Sequence, residues 1–90
     1  MKTLKFSHQF KKDFKRYRHD VKKLAVLKTI FNYLEQGEDI PPQFHPHSLA
    51  GEYSGCMECH VGPDFLLIWR DETTDTVYIM RLGSHSELFD

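Results

Sequence analysis

The stretch Cys59-His60-Val61-Gly62-Pro63-Asp64-Phe65-Leu66-Leu67-Ile68-Trp69 decides how this chain folds. A His stands just before a Gly-Pro turn, and an Asp just after it. The apolar run Phe65 to Trp69 is long enough for a strand and too short for a helix of its own. Bounded by turn residues, it reads as the buried middle of a sheet. A polar pair at the mouth of such a hairpin is a common way for a small protein to display a reactive site. Two further His-bearing stretches flank it in sequence. They are His45-Pro46-His47-Ser48-Leu49-Ala50-Gly51 and Arg81-Leu82-Gly83-Ser84-His85-Ser86-Glu87-Leu88-Phe89.

Working outward, 90 residues make one domain, and one sheet with one layer of helices is about what such a chain can bury. A hydrophobic fraction of 40% with 13% aromatics excludes a disordered chain. No apolar run is long enough to cross a membrane. Met1-Lys2-Thr3-Leu4-Lys5-Phe6 has no apolar segment of the signal-peptide type. The expectation is a cytoplasmic protein, away from membranes, with Cys56 and Cys59 reduced.

The formal net charge of -1 conceals an asymmetry. Residues 1–30 carry Lys2, Lys5, Lys11, Lys12, Lys15, Arg16, Arg18, Lys22, Lys23 and Lys28 against Asp13 and Asp20. Beyond residue 30, Arg70 and Arg81 are the only basic residues apart from histidines. A basic half fits a polyanion such as nucleic acid; a lysine-rich solvated helix face fits equally well.

Lys2 to Phe6 alternates polar and apolar residues and reads as a short strand. Ser7 fits an N-cap for a helix over His8–Arg18, with Phe10, Phe14 and Tyr17 on one face. Asp20 can cap a second helix, Val21–Gln36, and Gly37 suits its C-terminal end. The two helices read as an antiparallel hairpin whose aromatic stripe covers a sheet. Glu38 to Ser48 reads as a loop because of Pro41, Pro42 and Pro46. Leu49 to Val61 fits two short strands or one bulged strand. Phe65–Arg70 is the buried strand, 71–75 a polar hairpin loop, and Thr76–Leu82 another strand. Strict alternation puts Val77, Ile79 and Arg81 on one face of it, and Tyr78, Met80 and Leu82 on the other. Ser84 to Phe89 fits one helical turn. The class is α+β, in the order β-α-α-β-β-β.

Six histidines are many for this length. His8 and His19 fall in the helical region and read as surface residues. His45, His47, His60 and His85 fall at loops or strand ends. Imidazole takes and gives protons near neutral pH. Several imidazoles beside Asp64 and Arg81 suit cleavage of an RNA phosphodiester. That reaction needs a base for the 2′-hydroxyl, an acid for the 5′-oxygen and a cation for the phosphorane. It needs no metal and no other cofactor, because the substrate brings its own nucleophile. For any single His, an exposed or core-satisfied ring is the competing reading.

Cys56-Met57-Glu58-Cys59-His60 also matches the c-type haem signature C-x-x-C-H, which requires an oxidising compartment. The same residues with His47 contain zinc-ligand types. On a strand, however, Cys56 and Cys59 point to opposite faces, which spoils joint chelation.

Three segments together, H-x-L-x-G at His47–Gly51, H-x-x-P-D at His60–Asp64 and the G-S-H-x-x-L-F tail at Gly83–Phe89, resemble the YafQ-type toxins of the RelE/ParE superfamily. The resemblance covers essentially the whole chain. It implies a RelE-like fold, with an N-terminal helical hairpin on a mainly antiparallel sheet. It implies a ribosome-dependent mRNA endoribonuclease of a type II toxin–antitoxin pair, with the 70S ribosome, mRNA and a DinJ-like antitoxin as partners. His47, His60, Asp64 and His85 become the implied catalytic group, with Arg81 on the scissile phosphate and Phe89 on the RNA or holding the tail. Phe65 stands where a close relative has Trp, which keeps an aromatic for base stacking but loses the indole N–H. Lys11, Lys12, Lys15, Arg16, Lys22 and Lys23 become the implied rRNA contacts. No metal enters this scheme, and the cysteine pair lies outside it. ParE-type relatives act on DNA gyrase and lack this His set; a non-catalytic or gyrase-directed toxin and a Cys/His metal-binding module are the alternatives.

Overall fold

Ser7 is where the first strand hands over to the first helix. In the computed structural model, which describes residues 1–89, β1 (Thr3–Phe6) runs parallel to the last strand and stops at Ser7. The Ser7 N–H still donates to the Ile79 carbonyl at 2.9 Å. Its hydroxyl donates to the Met80 carbonyl at 2.7 Å and accepts the Phe10 N–H at 2.9 Å. One side chain therefore ends a strand and caps a helix.

Helix α1 (His8–Lys15) is shorter than the expected His8–Arg18. Arg16 and Tyr17 close back three residues, onto the carbonyls of Asp13 and Phe14, and this tight turn frees Asp20 to begin the next helix. Asp20 accepts the Lys23 N–H at 3.1 Å at the start of α2 (Val21–Gln36). Gly37, at φ 70°, ends α2 in the left-handed conformation that glycine adopts without steric cost.

The proline-rich segment is less irregular than expected. Pro42–Phe44 makes a 3₁₀ turn, and His47–Ser48 forms a short strand, β2, paired antiparallel with β3 (Met57–Gly62). The prolines stop at 46, so His47 has an N–H and a free φ with which to join a ladder. Residues Gly51–Tyr53 form another 3₁₀ turn instead of a strand. Strands β4 (Phe65–Thr73) and β5 (Thr76–Gly83) extend further than expected, which shrinks their connection to Thr74 and Asp75. Helix α3 (His85–Phe89) supplies the expected terminal turn.

The sheet order is β1-β5-β4-β3-β2, with β1–β5 parallel and the other pairs antiparallel. Strand β4 lies in the middle, which explains why Phe65 to Trp69 is apolar without alternation: both faces are covered. On one face, Phe65, Leu67 and Trp69 pack with Phe10, Leu27, Ile30 and Leu34 from the two helices. On the other, Leu66 and Ile68 join Cys56 and Leu88 under a thinner cover of Leu49, Tyr53 and Met80. The first cluster is the main core; the second is smaller and covered only by short segments, and its side of the sheet, where His60 and Phe89 are exposed, is the more open face.

Two bulges set the positions of the functional side chains. The β3–β4 register shifts between His60 and Gly62. On β5, Arg81 pairs with Ile68 and Ile79 with Trp69, so Met80 is an extra residue. An extra residue reverses the alternation beyond it. The expected facing of β5 is therefore corrected: Leu82 joins Val77 and Ile79 in the main core, and Arg81 turns to the open face.

Candidate active site

Residues directly opposite one another on paired strands point to the same side of a sheet. His47 pairs with Glu58, Glu58 with Ile68, and Ile68 with Arg81. The open face thus carries one row of side chains across four strands, with an imidazole at one end and a guanidinium at the other. The neighbouring row runs from His60 through Leu66 to Gly83, immediately before α3.

The His47 end is built by local backbone geometry. His45 ends the 3₁₀ turn at φ 51°, and its carbonyl lies 2.8 Å from His47 Nδ1. A carbonyl only accepts, so Nδ1 carries a proton and donates. Nε2 then faces Glu58 Oε1 at 3.0 Å, within hydrogen-bond reach. Glu58 is 5% exposed, and its Oε2 has no partner among the described residues. The His60 ring lies beside this pair, 6.2 Å from the His47 ring and 5.3 Å from that of His45, centre to centre. His60 itself is exposed.

Asp64 and His85 are brought together by a different device. Asp64 sits in the β3–β4 turn at φ 49°, which Asp tolerates better than most residues. Its carboxylate accepts the backbone N–H of His85 at 2.8 Å. The turn therefore anchors the start of α3. The His85 ring packs on Phe89 at 4.9 Å, and Phe89 meets Tyr53 edge-on at 5.6 Å. His60 and Gly83 stand two strand spacings apart, about 10 Å, so the two groups of residues share one face without packing ring to ring.

Arg81 is fixed from below. Its Nε and Nη2 donate to Asp13 at 2.8 and 3.3 Å, and its Nη1 donates to the Tyr53 hydroxyl at 3.1 Å. Asp13, 1% exposed, also accepts the Leu82 N–H at 3.0 Å. That N–H lies past the end of β1, where α1 covers the β5 edge in its place. The hydrogen bonds to Asp13 raise the Arg81 pKa further above its ordinary value, against the opposing effect of burial. Of five guanidinium N–H groups three are engaged, and two are left for an anionic ligand.

Phe65 is not where an RNA-stacking residue would be. It is 1% exposed in the main core, 4.5 Å from the Tyr17 ring, with Lys23 Nζ 5.6 Å above it. The first residue of β4 points under the helices, whereas Phe89, 39% exposed, remains at the open face. Among the basic residues, Lys11, Lys12, Lys15 and Lys22 are exposed. Lys23 is paired with Asp20 at 3.0 Å, and Arg16 with Glu87 at 3.1 Å. Cys56 and Cys59 are free, buried, and in separate clusters on opposite faces. Burial, reinforced by Glu58, pushes the Cys59 thiol up to about 12. Among the described residues no three His, Cys, Asp or Glu side chains converge as a metal-ligand set.

Glu58, Tyr53, Asp13, Tyr17 and Glu87 had no functional reading in the sequence. A signal existed for Glu87: Ser84-x-x-Glu87 is a capping box. Glu58 and Asp13 are single carboxylates whose burial depends on the fold, and no local pattern marks them.

Imidazoles, a positioned guanidinium and an exposed aromatic thus share one sheet face, a set of groups that can support acid–base chemistry and bind an anion. The family model for YafQ, a bacterial toxin of type II toxin–antitoxin systems, matches residues 2–90. The mRNA interferase toxin YafQ of Escherichia coli K12 is 32% identical, over 98% of this chain and 96% of its own length. A copper-bound mutant toxin from Helicobacter pylori superposes with a TM-score of 0.90 at 36% identity, covering 99% of this chain and 100% of that one. The Escherichia coli DinJ–YafQ toxin–antitoxin complex superposes with a TM-score of 0.85 at 29% identity, over 99% and 98%. The chain belongs to the YafQ family of type II toxins.

Proposed function

We propose that this chain is a single toxin domain over residues 1–90 that cuts mRNA on the ribosome and so stops translation. The observation carrying this reading is the row His47–Glu58–Ile68–Arg81, with His60 beside it and His85 and Phe89 at its margin.

The scissile phosphate binds the two remaining N–H groups of Arg81, a bidentate geometry that guanidinium provides and lysine does not. His60, exposed and beside the His47–Glu58 pair, takes the 2′-hydroxyl proton. The 2′-oxygen attacks phosphorus, the bond to the 5′-oxygen breaks, and His85 gives that oxygen its proton. The products are a 2′,3′-cyclic phosphate and a 5′-hydroxyl. The proton gained by His60 and that lost by His85 balance the step. His47, hydrogen-bonded to Glu58, lines the His60 side of the site. Asp64 acts by holding the backbone of His85, and Phe89 offers a face to a base. The substrate supplies the nucleophile, and no step uses a metal or cofactor.

Lys11, Lys12, Lys15 and Lys22 give the helical layer a basic surface suited to rRNA phosphates, with Lys23 and Arg16 at its border. Binding to the 70S ribosome should weaken with salt. A DinJ-like antitoxin made alongside is the neutralising partner, and the cytoplasm is the site of action. No helix among the described residues is long and apolar enough to cross a membrane.

The test is incubation of the purified toxin with translating ribosomes and mapping of the mRNA ends. Cuts within ribosome-bound mRNA that leave 2′,3′-cyclic phosphates support the reading. Intact mRNA beside inhibited DNA gyrase would favour the ParE-like alternative.

A further inference from the structure

Helix α3 has five residues, far too few to hold itself in water. It carries His85 and Phe89 nonetheless, so something outside it fixes its angle. Its N-terminal donors are met one by one. The Ser84 N–H donates to Glu87 Oε1 at 2.8 Å, the His85 N–H to Asp64 at 2.8 Å, and the Glu87 N–H to the Ser84 hydroxyl at 3.2 Å. The first and third form a reciprocal capping box.

The box is itself fastened to the helical layer. The Tyr17 hydroxyl donates to Glu87 Oε1, and Arg16 Nη1 donates to Glu87 Oε2 at 3.1 Å. Tyr17 is well placed for this because its ring lies on buried Phe65 and cannot swing. A Cβ at Gly83 would come within 2.7 Å of Glu87 Oε1, so a larger residue there would push the carboxylate end from its present place.

We infer that Tyr17 and Glu87 are positioning residues for His85, a clamp from the α1–α2 turn onto the box that sets the angle of α3; the functional part of this inference rests on the nuclease reading above. Neither residue touches RNA in this account. Catalytic groups must be held to within a fraction of an ångström, and small misplacements lower the chemical rate more than binding.

The full-length variants Tyr17→Phe, Glu87→Ala and their double would be compared with the wild type in single-turnover cutting of mRNA on programmed ribosomes. Tyr17→Phe keeps the ring and removes only the hydroxyl. Each single change should lower the maximal rate about tenfold, with the half-saturating ribosome concentration unchanged. The double should be no slower than Glu87→Ala, because the Tyr17 hydroxyl acts only through Glu87. Independently of catalysis, amide exchange at Ser84, His85 and Glu87 should accelerate in Tyr17→Phe while α2 stays protected. Glu87→Gln should restore part of the rate. Unchanged rate and unchanged exchange in Tyr17→Phe would overturn the clamp, as would multiplicative losses in the double. If the wild type cuts no mRNA the nuclease reading falls, and the exchange result alone decides the clamp.

Discussion

Asp13 on α1 and Arg81 on β5 form a two-pronged ion pair, at 2.8 and 3.3 Å, that also caps the open edge of the sheet through the Leu82 N–H. In the proposed mechanism, folding and phosphate binding share this carboxylate. Asp13→Ala leaves a guanidinium and a backbone N–H without their acceptor. Arg81 retains some exposure, at 19% of its side chain, so water offsets part of the loss. The expected cost is about 2–3 kcal/mol of stability, read from a denaturant midpoint, together with loss of cutting.

His47→Ala is expected to destabilise for a different reason. It leaves Glu58, 5% exposed, with neither oxygen partnered. A cost of about 1–3 kcal/mol follows from an unsatisfied buried group. Adding Glu58→Gln to His47→Ala should recover much of it, because a neutral amide is cheaper to bury than a carboxylate. The double should stay inactive, since the imidazole beside His60 is gone. Chemical denaturation of the wild type and the two variants checks the recovery.

The clamp on α3 should open at both ends of the pH scale. The Tyr17 hydroxyl, followed by the Ser84 N–H, holds the Glu87 carboxyl below its ordinary value, with Arg16 adding to the effect. A carboxyl so lowered stabilises the fold above the ordinary glutamate range and loses that contribution as pH falls through its folded value. Burial first, then Glu87, raises Tyr17 to about 12, with Asp13 reinforcing and Arg16 opposing. A group so raised contributes fully below the ordinary tyrosine value and loses its contribution as pH rises through about 12. The stability difference between the wild type and Tyr17→Phe, read from denaturant midpoints, should therefore be level around neutral pH and shrink in acid and in strong alkali.

Phe65 and Phe89 should separate cleanly. Phe65→Ala opens a hole under α1 and α2 and should cost about 3–5 kcal/mol. Phe89→Ala removes a ring 39% exposed at the open face and should cost no more than about 1.5 kcal/mol, while lowering cutting. Thermal melts beside a cleavage assay distinguish the two.

The helices, their caps and the central strand were legible in the sequence because each rests on local chemistry. Ser7, Asp20 and Gly37 do what their types do at helix ends. The uniform apolar run at 65–69 announced a strand covered on both sides. The facing of β5 was not legible, since the Met80 bulge leaves no mark in the residue pattern and reverses Arg81 and Leu82. The role of Phe65 was misplaced for a related reason: a residue after a turn can point to either side. The histidines of the candidate site were named by type, but the residues bonded to them and to Arg81 were not. Glu58, Asp13 and Tyr17 acquire meaning only through partners 11, 68 and 70 residues away.

The central claim is acid–base cutting of mRNA by residues of the open face, with His85 protonating the leaving oxygen. It is tested most directly by His85→Ala in single-turnover cleavage of ribosome-bound mRNA. His85 is exposed, so the variant should melt like the wild type. Its cleavage rate should fall by at least about a hundredfold, with ribosome binding retained. Cleavage at the wild-type rate by the folded variant would contradict the account.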